Sequence, residues 1–145
     1  MWADFVRIYF IVIRKLKKIT LRKKSKQKIS VIQRLLWNEC KRIIRKKYGN
    51  ICYTCGRTNL NGSNWQTGHL WSKASLSAYL KYDLRVLRPQ CYNCNINRGG
   101  MGADFYLKMW ETEGVSYMRK LEADRKKTVK AYDFYLGLLE KYKKK

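Results

Sequence analysis

Two pairs of cysteines form the clearest chemical pattern in the sequence. Each pair has two residues between its cysteines, and 35 residues separate Cys55 from Cys91. The four residues are Cys52, Cys55, Cys91 and Cys94. Paired thiolates on tight turns hold one ion, and four thiolates complete the tetrahedral shell that structural zinc prefers. The spacing therefore predicts a zinc site, with two disulfides or an iron–sulfur cluster as the alternatives.

The only histidine of the chain, His69, lies between the two cysteine pairs. A zinc ion with four thiolate ligands has no vacancy for it, and a lone histidine is more often structural than chemical. Histidine is nevertheless the side chain whose unperturbed pKa lies close to neutral pH, as a general base requires. Its place between two metal-binding pairs in a very basic chain favours the chemical interpretation.

The charge of the chain indicates what kind of partner it has. It contains 33 Lys and Arg against ten Asp and Glu, a formal net charge of +23. Residues 1–47 contain 16 basic and two acidic residues, and residues 48–145 contain 17 basic and eight acidic residues, so both parts of the chain are basic. An excess of this size is typical of proteins that neutralise phosphates. We therefore expect a nucleic-acid partner and no small-molecule substrate.

The first 29 residues are predicted to form a basic arm with a short apolar start, ahead of a domain at residues 30–145. The apolar start contains Asp4 and Arg7, and it is well short of the roughly 20 residues that a membrane span needs. It lacks the positive start and the cleavage site of a signal peptide. We expect a cytoplasmic protein with reduced thiols and no membrane partner. An interfacial membrane anchor is the alternative.

Apolar residues at helical spacing predict a helix that begins with a cap at Ser30 and ends at Gly49. Its apolar side includes the fifth cysteine, Cys40, which is expected to be a small buried residue. The basic residues on its other faces are Arg34, Lys41, Arg42, Arg45, Lys46 and Lys47. We expect the last four of these side chains to contact nucleic acid, although a solvated surface would have the same pattern.

Two strands are predicted between the cysteine pairs. The first passes through Trp65, Thr67 and His69, and the second lies in YDLRVLRPQ, where Pro89 is expected to turn the chain into the second cysteine pair. Three helices are predicted to follow. The first of them ends at Gly114, the last is capped by Thr128, and an aromatic stripe on the last fits a core or the seam of a homodimer.

This order of elements resembles the HNH-type (His-Me finger, ββα-metal) nucleases, and most specifically the phage NinG/Rap family of recombination proteins. The residues that carry the resemblance are LLWNECKRIIRKKYGNICYTCG, GHL, QCYNCN and FYLKMWETEG, within residues 30–145. The resemblance implies an α+β fold. Its expected centre is a small ββα-metal (HNH-like) core with a four-cysteine zinc knuckle pair, flanked by basic α-helices.

The resemblance also implies roles for three residues. His69 corresponds to the general base that activates water. Asn95, directly after the last zinc cysteine, corresponds to the ligand of a divalent ion on the scissile phosphate. Asp83 stands where many relatives have an asparagine that steadies the base. The expected ion is Mg²⁺ or Mn²⁺, because hard cations prefer amide and carboxylate oxygens to thiolates.

Several features of this region leave alternatives open. Asn93 or Asn97 could be the ligand in place of Asn95, which could instead be a helix cap. Gly68 stands where many HNH proteins have an acidic ligand, so the affinity for the ion should be weak. Arg98, followed by two glycines, could clamp a phosphate or remain a surface residue.

The sequence and the resemblance together predict a metal-dependent DNA endonuclease. The resemblance alone implies its substrate, which would be branched recombination intermediates such as Holliday junctions or D-loops in a phage-infected or prophage-carrying bacterium. The alternative is a zinc-stapled nucleic-acid-binding module without catalysis, in which His69 is only packed or touches a phosphate.

Overall fold

The computed structural model describes the backbone of residues 2–145 and the side chains of residues 11, 13, 14 and 28–145. The chain divides into two compact units, Met1–Arg34 and Leu35–Lys145. Most side chains of the expected basic arm and its apolar start lie outside the described residues. None of the helices in the described part of the chain has the length and apolar character needed to cross a membrane.

The first helix, α1 (Trp2–Tyr48), is much longer than the sequence pattern predicted. The expected start at Ser30 is wrong, because this residue lies inside the helix and does not cap it. The segment before Ser30 contains no glycine or proline, and its lysines, arginines and leucines are good helix formers. The end is as predicted: Gly49 adopts φ +69 and its N–H donates to the Arg45 carbonyl at 2.9 Å, which ends the helix.

The two predicted strands form one antiparallel hairpin of β1 (Trp65–His69) and β2 (Leu87–Cys91). The expectation that Pro89 turns the chain is wrong, because Pro89 lies inside β2 opposite Thr67. Its carbonyl accepts a hydrogen bond from the Tyr53 N–H at 2.8 Å, on the side away from β1. The nitrogen and the carbonyl oxygen of a strand residue point to the same side, so the nitrogen of Pro89 also points away from β1. The missing N–H of proline therefore removes no hydrogen bond between the two strands.

Three further helices follow: α2 (Gly102–Glu113), α3 (Val115–Asp124) and α4 (Ala131–Lys143). Gly114 ends α2 as predicted. The Thr128 cap is wrong, because the residue before the first turn of α4 is Lys130. On α4, Tyr135, Leu139 and Tyr142 are buried, so most of the aromatic stripe is core.

The part of α1 after residue 34 packs along β1. Trp37 stacks on the ring of His69, and Arg45 lies over the ring of Trp65. Trp37 and Arg45 are eight residues apart on the helix, a rise of about 12 Å. Their partners His69 and Trp65 are four residues apart on the strand, a rise of about 13 Å. Because the partners come in the reverse order along the chain, the two elements run side by side in opposite directions. Cys40 is fully buried and its thiol donates to the Tyr82 carbonyl, which confirms its predicted place. The observed mixture of helices with one small sheet confirms the coarse α+β assignment.

Candidate metal centre and active site

The four cysteines of the two pairs come together at one end of the hairpin. Their sulfur atoms all lie within 4.8 Å of one another, and the Sγ atoms of Cys55 and Cys91 are 3.8 Å apart. Four ligands at the usual Zn–S distance on a tetrahedron have sulfurs about 3.8 Å apart. Cys52, Cys91 and Cys94 are buried while Cys55 is exposed. The cluster therefore fits a zinc ion, as the spacing predicted.

Short backbone contacts hold each cysteine pair in this arrangement. Gly56 adopts φ +74 and donates its N–H to the Cys52 carbonyl at 2.9 Å, which closes the first turn. Cys91 is the last residue of β2, and the Cys94 N–H lies 3.4 Å from its sulfur. The hairpin thus places the second pair, while the first pair follows directly on the end of α1.

The thiols of the cluster differ in acidity. Burial raises the pKa of Cys52, but the backbone N–H of Cys55 and the Thr54 hydroxyl outweigh it and lower that pKa to about 6. Burial raises the pKa of Cys94 to about 12. Four close thiolates require a cation to balance their charge, so binding of a divalent metal and loss of the thiol protons are coupled.

His69 lies on β1, as the sequence predicted, and is the last residue of that strand. Its imidazole is held on two sides. One ring face stacks on Trp37, with centroids 5.2 Å apart and an interplanar angle of 7°. The Nε2 atom lies 3.1 Å from the Lys81 carbonyl oxygen. A carbonyl only accepts hydrogen bonds, so Nε2 carries the proton and donates. The lone pair of the neutral ring is therefore on Nδ1.

Burial of the imidazole lowers the pKa of His69 to about 4. The hydrogen bond to the Lys81 carbonyl opposes this change, and the ammonium groups of Lys73 and Lys81 add to it. The ring is therefore neutral at physiological pH, and Nδ1 is able to accept a proton.

His69 and Asn95 line the same cavity, which has a volume of about 390 Å³. Trp37, Thr67, Trp71 and Lys73 also line it, together with the backbone of Gly99 and Gly100. Asn95 lies in a short π-helical turn, Asn93–Asn97, that follows the second cysteine pair. The structure thus brings the predicted base and the predicted ligand to one cavity.

The neighbouring asparagines are placed differently. Asn93 and Asn97 are exposed, and the amide of Asn97 donates to the Asn93 side chain at 3.2 Å. Asn95 is half-buried and is the asparagine of this turn that lines the cavity in the described part of the chain. Its position makes it the best placed of the three to act as a ligand.

Asp83 does not join this group. Its carboxylate accepts from the Arg85 guanidinium at 2.6–3.1 Å and from the Arg85 N–H at 2.9 Å. It caps the 3₁₀ turn Leu84–Val86, ahead of β2, and it lines a different cavity. The contact that orients His69 comes from the backbone of Lys81 instead.

Gly68 faces away from the cavity, on the opposite side of β1 from His69. A Cβ atom at this position would lie 1.9 Å from Oε1 of Gln90. Gln90 is fully buried, and its Nε2 donates to the Gly100 carbonyl at 2.8 Å. The space that a side chain at position 68 needs is therefore filled, and an acidic ligand does not fit there.

The side chains predicted to contact nucleic acid lie on the surface, but some of them already make contacts within the chain. Arg42 donates to Glu39 at 2.8 Å and to the Tyr142 carbonyl at 3.1 Å, so it links α1 to α4. Arg45 donates to Asn50 at 3.2 Å. Lys47 lies 4.9 Å over the Tyr48 ring. Lys46 and Arg98 are exposed. Lys46, Lys47 and Arg98 are thus the better placed for a partner.

The sequence pattern missed three groups at the site: the Trp37 ring, the Lys81 carbonyl and the Gln90 side chain. Trp37 is 32 residues from His69, and a backbone carbonyl leaves no trace in a sequence. Gln90 meets Gly68 across the hairpin and not along the sequence, so no local pattern marked it.

A model of the family described as "Bacteriophage Lambda NinG protein" matches residues 12–145. The "Protein ninG" of Salmonella phage P22 is 28% identical over 76 residues, which are 52% of this chain and 36% of that protein. The match thus spans little more than a third of the relative's length. No solved structure matches the chain significantly.

Proposed function

Because the chain belongs to the bacteriophage lambda NinG family, we propose that it is a metal-dependent DNA endonuclease with an HNH-like active site around His69. The observation that carries this proposal is the state of the imidazole. Its Nε2–H is bound to the Lys81 carbonyl, and the ring lines the cavity that Asn95 also lines. A neutral histidine held in this way presents on Nδ1 the lone pair that a general base uses.

In the proposed reaction, His69 Nδ1 takes a proton from the water that attacks the phosphorus of a phosphodiester. The bond from phosphorus to the leaving alcohol oxygen breaks, and that oxygen receives a proton from solvent. The stack on Trp37 and the bond to Lys81 hold the ring in one orientation, so the proton acceptor does not have to be positioned during the reaction.

Asn95 would hold a divalent ion, Mg²⁺ or Mn²⁺, through its amide oxygen. Such an ion, when bound, supplies the positive charge that stabilises the phosphate and the leaving oxygen. Position 68 offers no carboxylate, and Asp83 is engaged by Arg85. The chain therefore provides few oxygen ligands of its own, and weak ion affinity is expected.

The cysteine cluster has a structural role in this proposal. It ties the end of α1 to the end of β2, and the turn with Asn95 begins directly after Cys94. A zinc ion there would keep the hairpin and this turn in register, so that His69 and Asn95 stay on one cavity. Zinc held by four thiolates has no open position for chemistry.

The proposed substrate is DNA, and branched recombination intermediates are the form that the family resemblance suggests. The net charge of +23 supports a phosphate-rich partner. The test is to incubate the purified, zinc-loaded chain with labelled duplex, single strand and four-way junction, each with Mg²⁺, Mn²⁺ or EDTA. Cleavage that needs the divalent ion supports the proposal, and the form cut fastest identifies the substrate.

A second candidate is a zinc-stapled nucleic-acid-binding module without catalysis. The close stack of His69 on Trp37 favours it, since such a stack also suits a purely structural histidine. In that case the same assay gives binding to DNA but no cleavage of any DNA form in any divalent metal.

A further inference from the structure

The hydroxyl group of Thr67, on β1, makes no contact within the described part of the chain that explains its presence in the fold. It is 5% exposed, and its Oγ1 is buried without a hydrogen-bond partner among the residues that the structure describes. Buried hydroxyls are nearly always hydrogen-bonded, because burial without a partner costs free energy. A valine has almost the same shape and suits a strand equally well. The hydroxyl therefore calls for a partner that is not part of the chain.

The position of Thr67 indicates where that partner lies. Side chains two residues apart share one face of a strand, so Thr67 and His69 lie on the same side of β1. Both residues line the cavity that Asn95 also lines. Three other buried polar atoms lack a partner in the described part of the chain, on Ser77, Arg88 and Gln90, and their residues do not line this cavity.

The opposite face of β1 does not offer an oxygen to the site. Gly68 points there, and Gln90 fills the space beside it. The oxygen ligands for an ion next to His69 must come from the cavity that both Thr67 and Asn95 line. A hydroxyl oxygen and an amide oxygen are both suitable ligands for a hard cation.

We propose that the Thr67 hydroxyl is a second protein ligand, with Asn95, of the divalent cation in this cavity. In this proposal the Thr67 hydroxyl replaces the acidic ligand that the resemblance to HNH nucleases would place directly before the histidine. The inference rests on the proposed function, since it assigns a further residue to the same site.

The test compares Mn²⁺ binding by Thr67 variants, measured by electron paramagnetic resonance. The full chain is loaded with zinc, mixed with duplex DNA, and carries His69→Ala throughout so that the DNA is not consumed. Thr67→Val removes the oxygen at constant shape, and we expect Mn²⁺ affinity to fall on the order of tenfold or more. Thr67→Ser keeps the oxygen and should keep the affinity. Ser77→Ala, which removes a buried hydroxyl elsewhere, is the matched control.

A merely structural hydroxyl gives a different result. Thr67→Val would then leave Mn²⁺ affinity unchanged and would raise the thermal midpoint, and that outcome overturns the inference. A parent protein that binds no Mn²⁺ overturns it as well. If Thr67→Val does not fold, Thr67→Ala takes its place. The proposed function fails on another result, a wild type that cleaves no DNA form, so the two failures are distinguishable.

Discussion

The Nε2 atom of His69 lies 3.1 Å from the carbonyl oxygen of Lys81, and this contact fixes which nitrogen of the ring can act. The protein uses a backbone carbonyl to orient the imidazole, where the family resemblance had suggested Asp83. A backbone carbonyl does not titrate, and substitution of the Lys81 side chain does not remove it. The orientation therefore depends on the path of the chain between β1 and β2.

The state of His69 can be observed directly, because the chain has one histidine. We expect nitrogen NMR of histidine-labelled protein to find the Nε2–H tautomer, and the ring to titrate near pH 4, well below its ordinary 6.5. The unfolded chain takes up the proton at higher pH than the folded chain. The stability from this residue is therefore fully present above about pH 6.5 and is lost as pH falls toward about 4. A ring that titrates near 6.5, or an Nδ1–H tautomer, contradicts the assignment.

The cysteine cluster should bind one zinc ion per chain. Cys52→Ser or Cys94→Ser should release the metal and unfold much of the domain, because structural zinc contributes on the order of 10 kcal/mol to folding. Elemental analysis and circular dichroism measure the two effects. Cys40→Ala is the matched control, since Cys40 is buried outside the cluster and should keep the zinc. A folded wild type without metal would disprove the zinc assignment.

Gly68→Asp introduces the acid that the resemblance to HNH nucleases would place before His69. We expect it to destabilise the chain by about 1–3 kcal/mol, because the new side chain meets the buried Gln90. Urea denaturation measures the loss, and adding Gln90→Ala should recover part of it. A Gly68→Asp protein that is as stable as the wild type and needs less Mg²⁺ for cleavage would show that position 68 has room for an acidic ligand.

The cysteine pairs, the two strands and the place of His69 on the first of them could be predicted from sequence, because each depends on local spacing. The start of α1 could not, since a basic segment without glycine or proline is compatible with both a helix and an arm. Asp83 was assigned by resemblance, but Arg85, two residues later, engages its carboxylate. Trp37 and Gln90 meet the site only through packing between distant segments, and no local pattern encodes that.

Exposed lysines at the end of α1 should contribute to DNA binding more than Arg42 does. We expect Lys46→Ala and Lys47→Ala each to weaken binding for all DNA sequences and to reduce the salt slope by about 1. Arg42→Ala should instead cost about 1 kcal/mol of stability, because its hydrogen bonds to Glu39 and the Tyr142 carbonyl are lost. Fluorescence anisotropy over a salt series separates these effects. Equal slopes for all three variants would contradict the distinction.

Asn95→Ala provides the control for the test of catalysis. If its amide oxygen holds the ion, its loss should be partly rescued by a higher Mg²⁺ concentration or by Mn²⁺. The loss of a general base should not respond to metal. The two residues are therefore separated by the metal dependence of cleavage, although they line one cavity.

The most direct test is the single-turnover cleavage rate of His69→Ala against that of the wild type, on the DNA form that the wild type cuts fastest. We expect a rate lower by about 10²–10⁴-fold, the range for loss of acid–base catalysis. Zinc content and DNA affinity should stay close to those of the wild type. A His69→Ala protein that cleaves as fast as the wild type would contradict the role of His69 and the active site proposed around it.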